Sequence, residues 1–210
     1  MVDACIRSLQ TRSIERLYPL SAFQWAIYQD IVNSLAQPQR SLDQSAGHVS
    51  SSSDWAKYHV HLGKPGTGKS QVVIRAIHHA LQQEYAVLLP APVALLAQGY
   101  KAIFGQDLEA ETLHAAFHIP VDPQQTGDVN FELNRFDMVV VDKASLVSPQ
   151  TFGIMASTLN RLNSRPAIVI AGDKYQQQPL QTVDSRVTTT MFILNNNTFT
   201  AQNSVKHALY

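Results

Sequence analysis

Gly63 to Ser70 reads GKPGTGKS and fits the spacing G-x-x-x-x-G-K-[ST]. A loop that wraps backbone N–H groups around a phosphate needs residues without a Cβ where it bends most. Gly63, Gly66 and Gly68 supply them, with Thr67 between the last two. Lys69 is placed to neutralise β and γ phosphates and Ser70 to offer a hydroxyl to magnesium. A helix starting there would turn its positive end to the anion. A magnesium nucleotide is the ligand this chemistry suits.

The second chemical stretch is FDMVVVDKASLVS, Phe136 to Ser148, in which a hydrophobic run ends at Asp142. Phosphoryl transfer needs a carboxylate on a neighbouring strand to hold magnesium through water, and a further group to position the attacking water. Asp142 fits the first role. The next place, where a glutamate commonly accepts the water's proton, holds Lys143. An ammonium has three donors and no acceptor, so it is no base at neutral pH unless burial strips its proton. General-base help is worth roughly 10² to 10⁴ in rate; hydrolysis is expected to fall by about that factor, whereas nucleotide binding need not. A Lys143 side chain turned to solvent, or paired with Asp142 or Asp173, is the structural alternative.

Elements must bring these residues together. The apolar runs YHVHL, YAVLL, MVVV and AIVIA end at Leu62, Leu89, Val141 and Ala171, and three of the four are nearly all apolar, as in strands buried on both faces of a parallel sheet. Between the first two lies QVVIRAIHHALQQE, whose Val73, Ile74, Ile77 and Leu81 form one helical stripe. Strand, helix, strand in succession argues an open α/β sheet covered by helices on both faces, with ligands beyond the carboxyl ends of the strands. Upstream, Phe23, Ile27, Ile31 and Leu35 recur at spacing four, with Ser21 placed to cap and Pro38 past the end. The segment 38–57 is rich in Ser, Gln and Asp and reads as a flexible insertion.

Composition bounds the partners. The 210 residues are 45% hydrophobic and 15% charged, enough for one globular domain with a sizeable core. Sixteen basic and sixteen acidic residues cancel, so any nucleic-acid binding must come from a local patch. The single cysteine, Cys5, excludes an internal disulfide framework. No apolar tract is long enough to span a membrane, and a soluble, intracellular chain is expected. Eight histidines, including His59 with His61 and His114 with His118, lack the carboxylate or thiol spacing that would complete a zinc site. Phe117 and Tyr175 could stack on bases, and packing is the plainer role for each.

The order GKPGTGKS, APVALLAQG, ETLHAAFHIP, VVVDKAS, AGDKYQQQPL resembles the first five signatures of superfamily 1 DNA helicases of the PIF/RecD branch, over about Leu20 to Leu180. The resemblance implies a RecA-like P-loop fold, ATP and Mg2+ as cofactors, and translocation on single-stranded DNA with 5′ to 3′ polarity. It assigns Gln24 to adenine, although Ser21 and Gln24 also have capping-box spacing. It assigns Asp173 and Gln176 to sensing the γ phosphate, and Pro92, Thr112 and His114 to the DNA path. Only Pro179 remains of the two prolines usual in the family after Gln176. The organisation expected is an N-terminal extension 1–19, a RecA-like domain 20–180 and a C-terminal extension 181–210 that contains no further sheet and no second RecA-like domain. Nuclear or mitochondrial residence is a family implication only. Two other readings stay open: a non-catalytic nucleotide-binding module derived from a helicase, and an unrelated P-loop ATPase or kinase with an acceptor pocket.

Overall fold

The computed structural model describes residues 19–36, 58–120 and 130–173, with Ile14 and the backbone of Val205–Leu209. In chain order the elements are α1 (Ala22–Leu35), β1 (Tyr58–Gly63), α2 (Lys69–Gln82), β2 (Val87–Ala91), α3 (Ala94–Phe104), β3 (Glu109–Thr112), α4 (Leu113–Ala116), β4 (Met138–Val141), α5 (Pro149–Arg161), β5 (Ala167–Gly172) and β6 (Val205–Leu209). Every strand pair is parallel, and the order across the sheet is β3-β2-β4-β5-β1-β6.

The two-residue pleat explains the continuous apolar strands. Met138 and Val140 of β4, with Val169 and Ala171 of β5, join one core with α1, α2 and α3. Val139 and Val141, with Ile168 and Ile170, join a second core built with Leu113, Phe152, Met155 and Leu159. Helices therefore cover both faces, as the sequence predicts.

Several expectations are corrected. The second strand runs Val87–Ala91, two residues later than YAVLL. In α1, Ile27, Ile31 and Leu35 are buried while Phe23 is 52% exposed, so the stripe starts one turn late. Two strands were not expected. β3 is the sequence EAET, which lacks an apolar run because only Ala110 is buried on this edge strand. β6 lies within residues 181–210 and pairs in register with β1, so that segment does add to the sheet.

Candidate nucleotide-binding site

Because all strands are parallel, Gly63, Ala91, Val141 and Gly172 end on the same edge of the sheet. Between β1 and α2 the loop turns back through Gly66 (φ 78°) and Gly68 (φ 80°), left-handed positions that favour glycine. A Cβ on Gly66 would meet nothing within 4 Å, whereas one on Gly68 would collide with the Gln24 amide and come 2.6 Å from Gln71 Oε1. The backbone is open at the first position and in close contact at the second.

Lys69 opens α2 and is buried. Its ammonium donates to the carbonyls of Gly63 and Lys64, each at 2.7 Å, and to Thr67 Oγ1 at 3.4 Å. The loop thus curls around its own lysine. Burial pushes the Lys69 pKa down from the ordinary lysine value; Asp173 pulls it up, Lys143 adds to the lowering and Asp142 opposes it. All three charges therefore act on one ammonium. Asp173 is buried, one residue beyond β5.

Ser70 Oγ donates to Asp142 Oδ2 at 3.0 Å, joining the helix start to the end of β4. Asp142 does not sit on a strand adjacent to β1. β5 lies between the two, a separation of about 10 Å at ordinary strand spacing. The gap is closed from above by the first turn of α2.

Asp142 is almost fully buried and accepts two further bonds, from Tyr100 Oη to Oδ2 at 2.8 Å and from the backbone N–H of Lys143 to Oδ1 at 2.8 Å. Sequence reasoning missed Tyr100. The signal was Ala97, Tyr100 and Phe104 at helical spacing on the buried face of α3, since a buried tyrosine hydroxyl needs a partner.

Lys143 is a non-glycine residue in the left-handed region (φ 57°, ψ 39°), where a short 3₁₀ turn, Ala144–Leu146, begins. Among the described residues its ammonium makes no hydrogen bond or ion pair, so the pairing with Asp142 or Asp173 weighed from sequence does not form. Lys143, Ser70, Asp142 and Tyr100 line one end of a cleft of about 650 Å³ whose other walls are apolar, including Ile74 and Leu96.

Gln24 has two partners at once. The capping box forms, with Ser21 N donating to Gln24 Oε1 at 2.8 Å, and Gln24 Nε2 donates to Thr67 O at 2.9 Å. The side chain ties α1 to the phosphate loop. Any contact with a base would use the amide now spent on Thr67.

Of the other expected residues, Pro92 follows β2 on the same sheet edge, Thr112 ends β3 and caps α4 through a 3.3 Å bond from Ala115 N, and His114 is exposed on α4. Gln176, Pro179, Tyr175 and the insertion 38–57 lie outside the described residues. Phe117 is buried in the core, a packing role. Among the described residues no cluster of His, Cys, Asp or Glu could hold a metal by itself. A magnesium site built from one hydroxyl, one carboxylate, phosphate oxygens and water needs no such cluster. No helix among the described residues is long and apolar enough to cross a membrane.

A family model described as an AAA domain matches residues 39–196. No curated protein matches the chain in sequence. The solved structures similar in fold include three of Pif1. They are the Pif1 helicase from Candida albicans (TM-score 0.56, 18% identity, 90% of this chain and 39% of that one), a Pif1 helicase structure addressing DNA unwinding at forked duplexes (0.53, 17%, 90% and 43%) and Bacteroides sp. Pif1 with ADP-AlF4 (0.52, 15%, 90% and 41%). The chain thus spans about two fifths of these three structures. The sheet is the RecA-like α/β fold that the motif order implies.

Proposed function

Because the chain belongs to the AAA domain family, we propose that it is the ATP-binding motor half of an ATP-dependent 5′ to 3′ DNA helicase, with hydrolysis impaired by Lys143. At the coarser level it is a helicase-like nucleotide-binding domain. The observation that carries the finer reading is the Ser70–Asp142 bond of 3.0 Å beside the buried loop lysine, with Lys143 in the place of a base.

In this reading the triphosphate takes over the Lys69 donors now given to the loop's own carbonyls. The N-terminus of α2 and the loop N–H groups meet the phosphate oxygens. Magnesium, when bound, would supply neutralisation of phosphate charge, and the hydroxyl of Ser70 and the carboxylate of Asp142 are hard oxygen donors that would suit it. Lys143 adds a second ammonium whose charge is already felt at Lys69. It favours an anion in the site, yet offers no lone pair to take the attacking water's proton. Gln24 reaches the base by exchanging Thr67 for adenine, Asp173 and Gln176 respond to the γ phosphate, and Pro92, Thr112 and His114 border single-stranded DNA. The matched Bacteroides sp. structure holds ADP-AlF4 and another concerns forked DNA, which supports these two ligands for this chain. An intracellular setting follows from the same reading.

Lys143 also favours a second reading, a non-catalytic nucleotide-binding module derived from a helicase. ATP affinity and turnover of the chain and of Lys143→Glu separate the two. Turnover rising by about 10² to 10⁴ in the variant supports an enzyme stalled at the water-activation step, and tight binding without turnover in both supports the module. No ATP binding in either protein sinks both readings.

A further inference from the structure

Asp142 is held by more than the phosphate loop. Its Oδ2 accepts from both Ser70 Oγ (3.0 Å) and Tyr100 Oη (2.8 Å), and its Oδ1 accepts the Lys143 N–H (2.8 Å). These three donors come from α2, α3 and the turn after β4, so the carboxylate is where three elements meet. Ser70 is itself a candidate metal donor, and its hydroxyl can keep donating to Asp142 while a lone pair faces a cation. The Lys143 N–H is fixed by the backbone. Tyr100 is therefore the one side-chain donor to Asp142 that is not itself a candidate metal ligand.

Tyr100 is itself immobilised. It is 4% exposed, and its ring lies parallel to that of Phe104, one turn along α3, with centroids 6.5 Å apart. A phenol locked in this way sets the carboxylate's rotation about its own axis. That rotation decides whether the remaining lone pairs point towards Ser70 and the phosphates or away from them. A carboxylate has about four lone-pair sites, and three are taken. The remaining one, on Oδ1, is what a metal-bound water could use.

We propose that Tyr100 is a positioning residue that aims Asp142 at the metal of a bound nucleotide. The idea rests on the nucleotide reading above and deepens it. Tyr100 acts through the carboxylate to which its hydroxyl is bonded, in the way that outer partners of metal ligands do. The same bond makes α3 sensitive to what the site holds. The helix presents Leu95, 77% exposed, along the apolar walls of the cleft beside Val93 at its N-cap, and its only hydrogen bond to the Asp142 carboxylate among those described comes from Tyr100.

The test measures ATP affinity at increasing Mg2+ and again in a chelator, for the wild type, Tyr100→Phe, Asp142→Asn and the double variant. Tyr100→Phe keeps the ring and its packing. The Mg2+ midpoint is expected to rise about tenfold, the lower end of what losing such a partner costs, while affinity in chelator stays unchanged. In the Asp142→Asn background the same substitution is expected to add nothing, because the two groups act as one unit. An unchanged or lowered Mg2+ midpoint in Tyr100→Phe overturns the positioning role, as does an equal loss in chelator, which marks a merely structural effect. A wild type that binds no ATP in either condition fails at the earlier step and removes the nucleotide reading itself.

Discussion

Lys143 places a positive charge in the cleft beside Asp142 from a left-handed turn, a backbone state that costs a non-glycine residue about 1 kcal/mol. Its effect on Lys69 makes a prediction with a definite sign. The protonated Lys69 is the form that attracts phosphate, so affinity falls as pH rises through its pKa. That pKa already lies below the ordinary lysine value, first through burial and then through Lys143. The alkaline loss of ATP affinity should therefore begin at lower pH than for an ordinary lysine. Lys143→Met should move it to higher pH, because one lowering influence is gone. A titration of affinity from neutral into alkaline pH checks this, and a shift in the acid direction contradicts it. The glycines make a second prediction. Gly68→Ala must accommodate both a positive φ and a Cβ against the Gln24 amide, whereas Gly66→Ala meets only the first. Gly68→Ala should lower stability by about 1–3 kcal/mol and by more than Gly66→Ala does; equal melting temperatures for the two variants would count against the close contact.

At the level of elements, α1 is pinned to the sheet from below. His59 is fully buried on β1 and bonds Asp30 Oδ2 at 3.1 Å and Ser34 Oγ at 2.9 Å, one turn apart on α1, while Gln24 ties the other end of the helix to Thr67. Asp30→Ala should cost about 1–2 kcal/mol through the hydrogen bond lost to a buried partner. It should lower the urea midpoint without changing its slope; an unchanged midpoint would show that the pin carries no weight. These ties also mark what the sequence conveyed. Strands buried on both faces announce themselves, because MVVV and AIVIA feed alternate residues into two cores. Edge strands do not, since EAET buries one side chain and needs no apolar run. The loop residues were legible from glycine chemistry and spacing. Tyr100 was not, because a tyrosine on a helical stripe looks the same whether its hydroxyl meets water or the carboxylate of Asp142. Nor was the double use of Gln24, since a capping box pairs two residues at one helix end and says nothing of a loop 43 residues away.

For the whole molecule, formal charge sums to zero and the chain spans about two fifths of the Pif1 structures it resembles in fold. A motor of the kind proposed moves by opening and closing a cleft between two RecA-like halves. The 210 residues by themselves are therefore expected to separate no strands of a forked duplex when given ATP and Mg2+, in a fluorescence strand-displacement assay. Separation by this chain alone would mean that the reading of it as one half of a motor is wrong. The central claim, that a triphosphate is gripped by the loop at the carboxyl edge of the sheet, is tested most directly by calorimetric titration of ATP into the wild type and into Lys69→Ala. The account predicts saturable one-to-one binding by the wild type and a loss of at least about tenfold in the variant, in line with removing a charge-assisted contact worth about 1.5–3 kcal/mol. Equal affinity in the two proteins, or no heat in either, would contradict it.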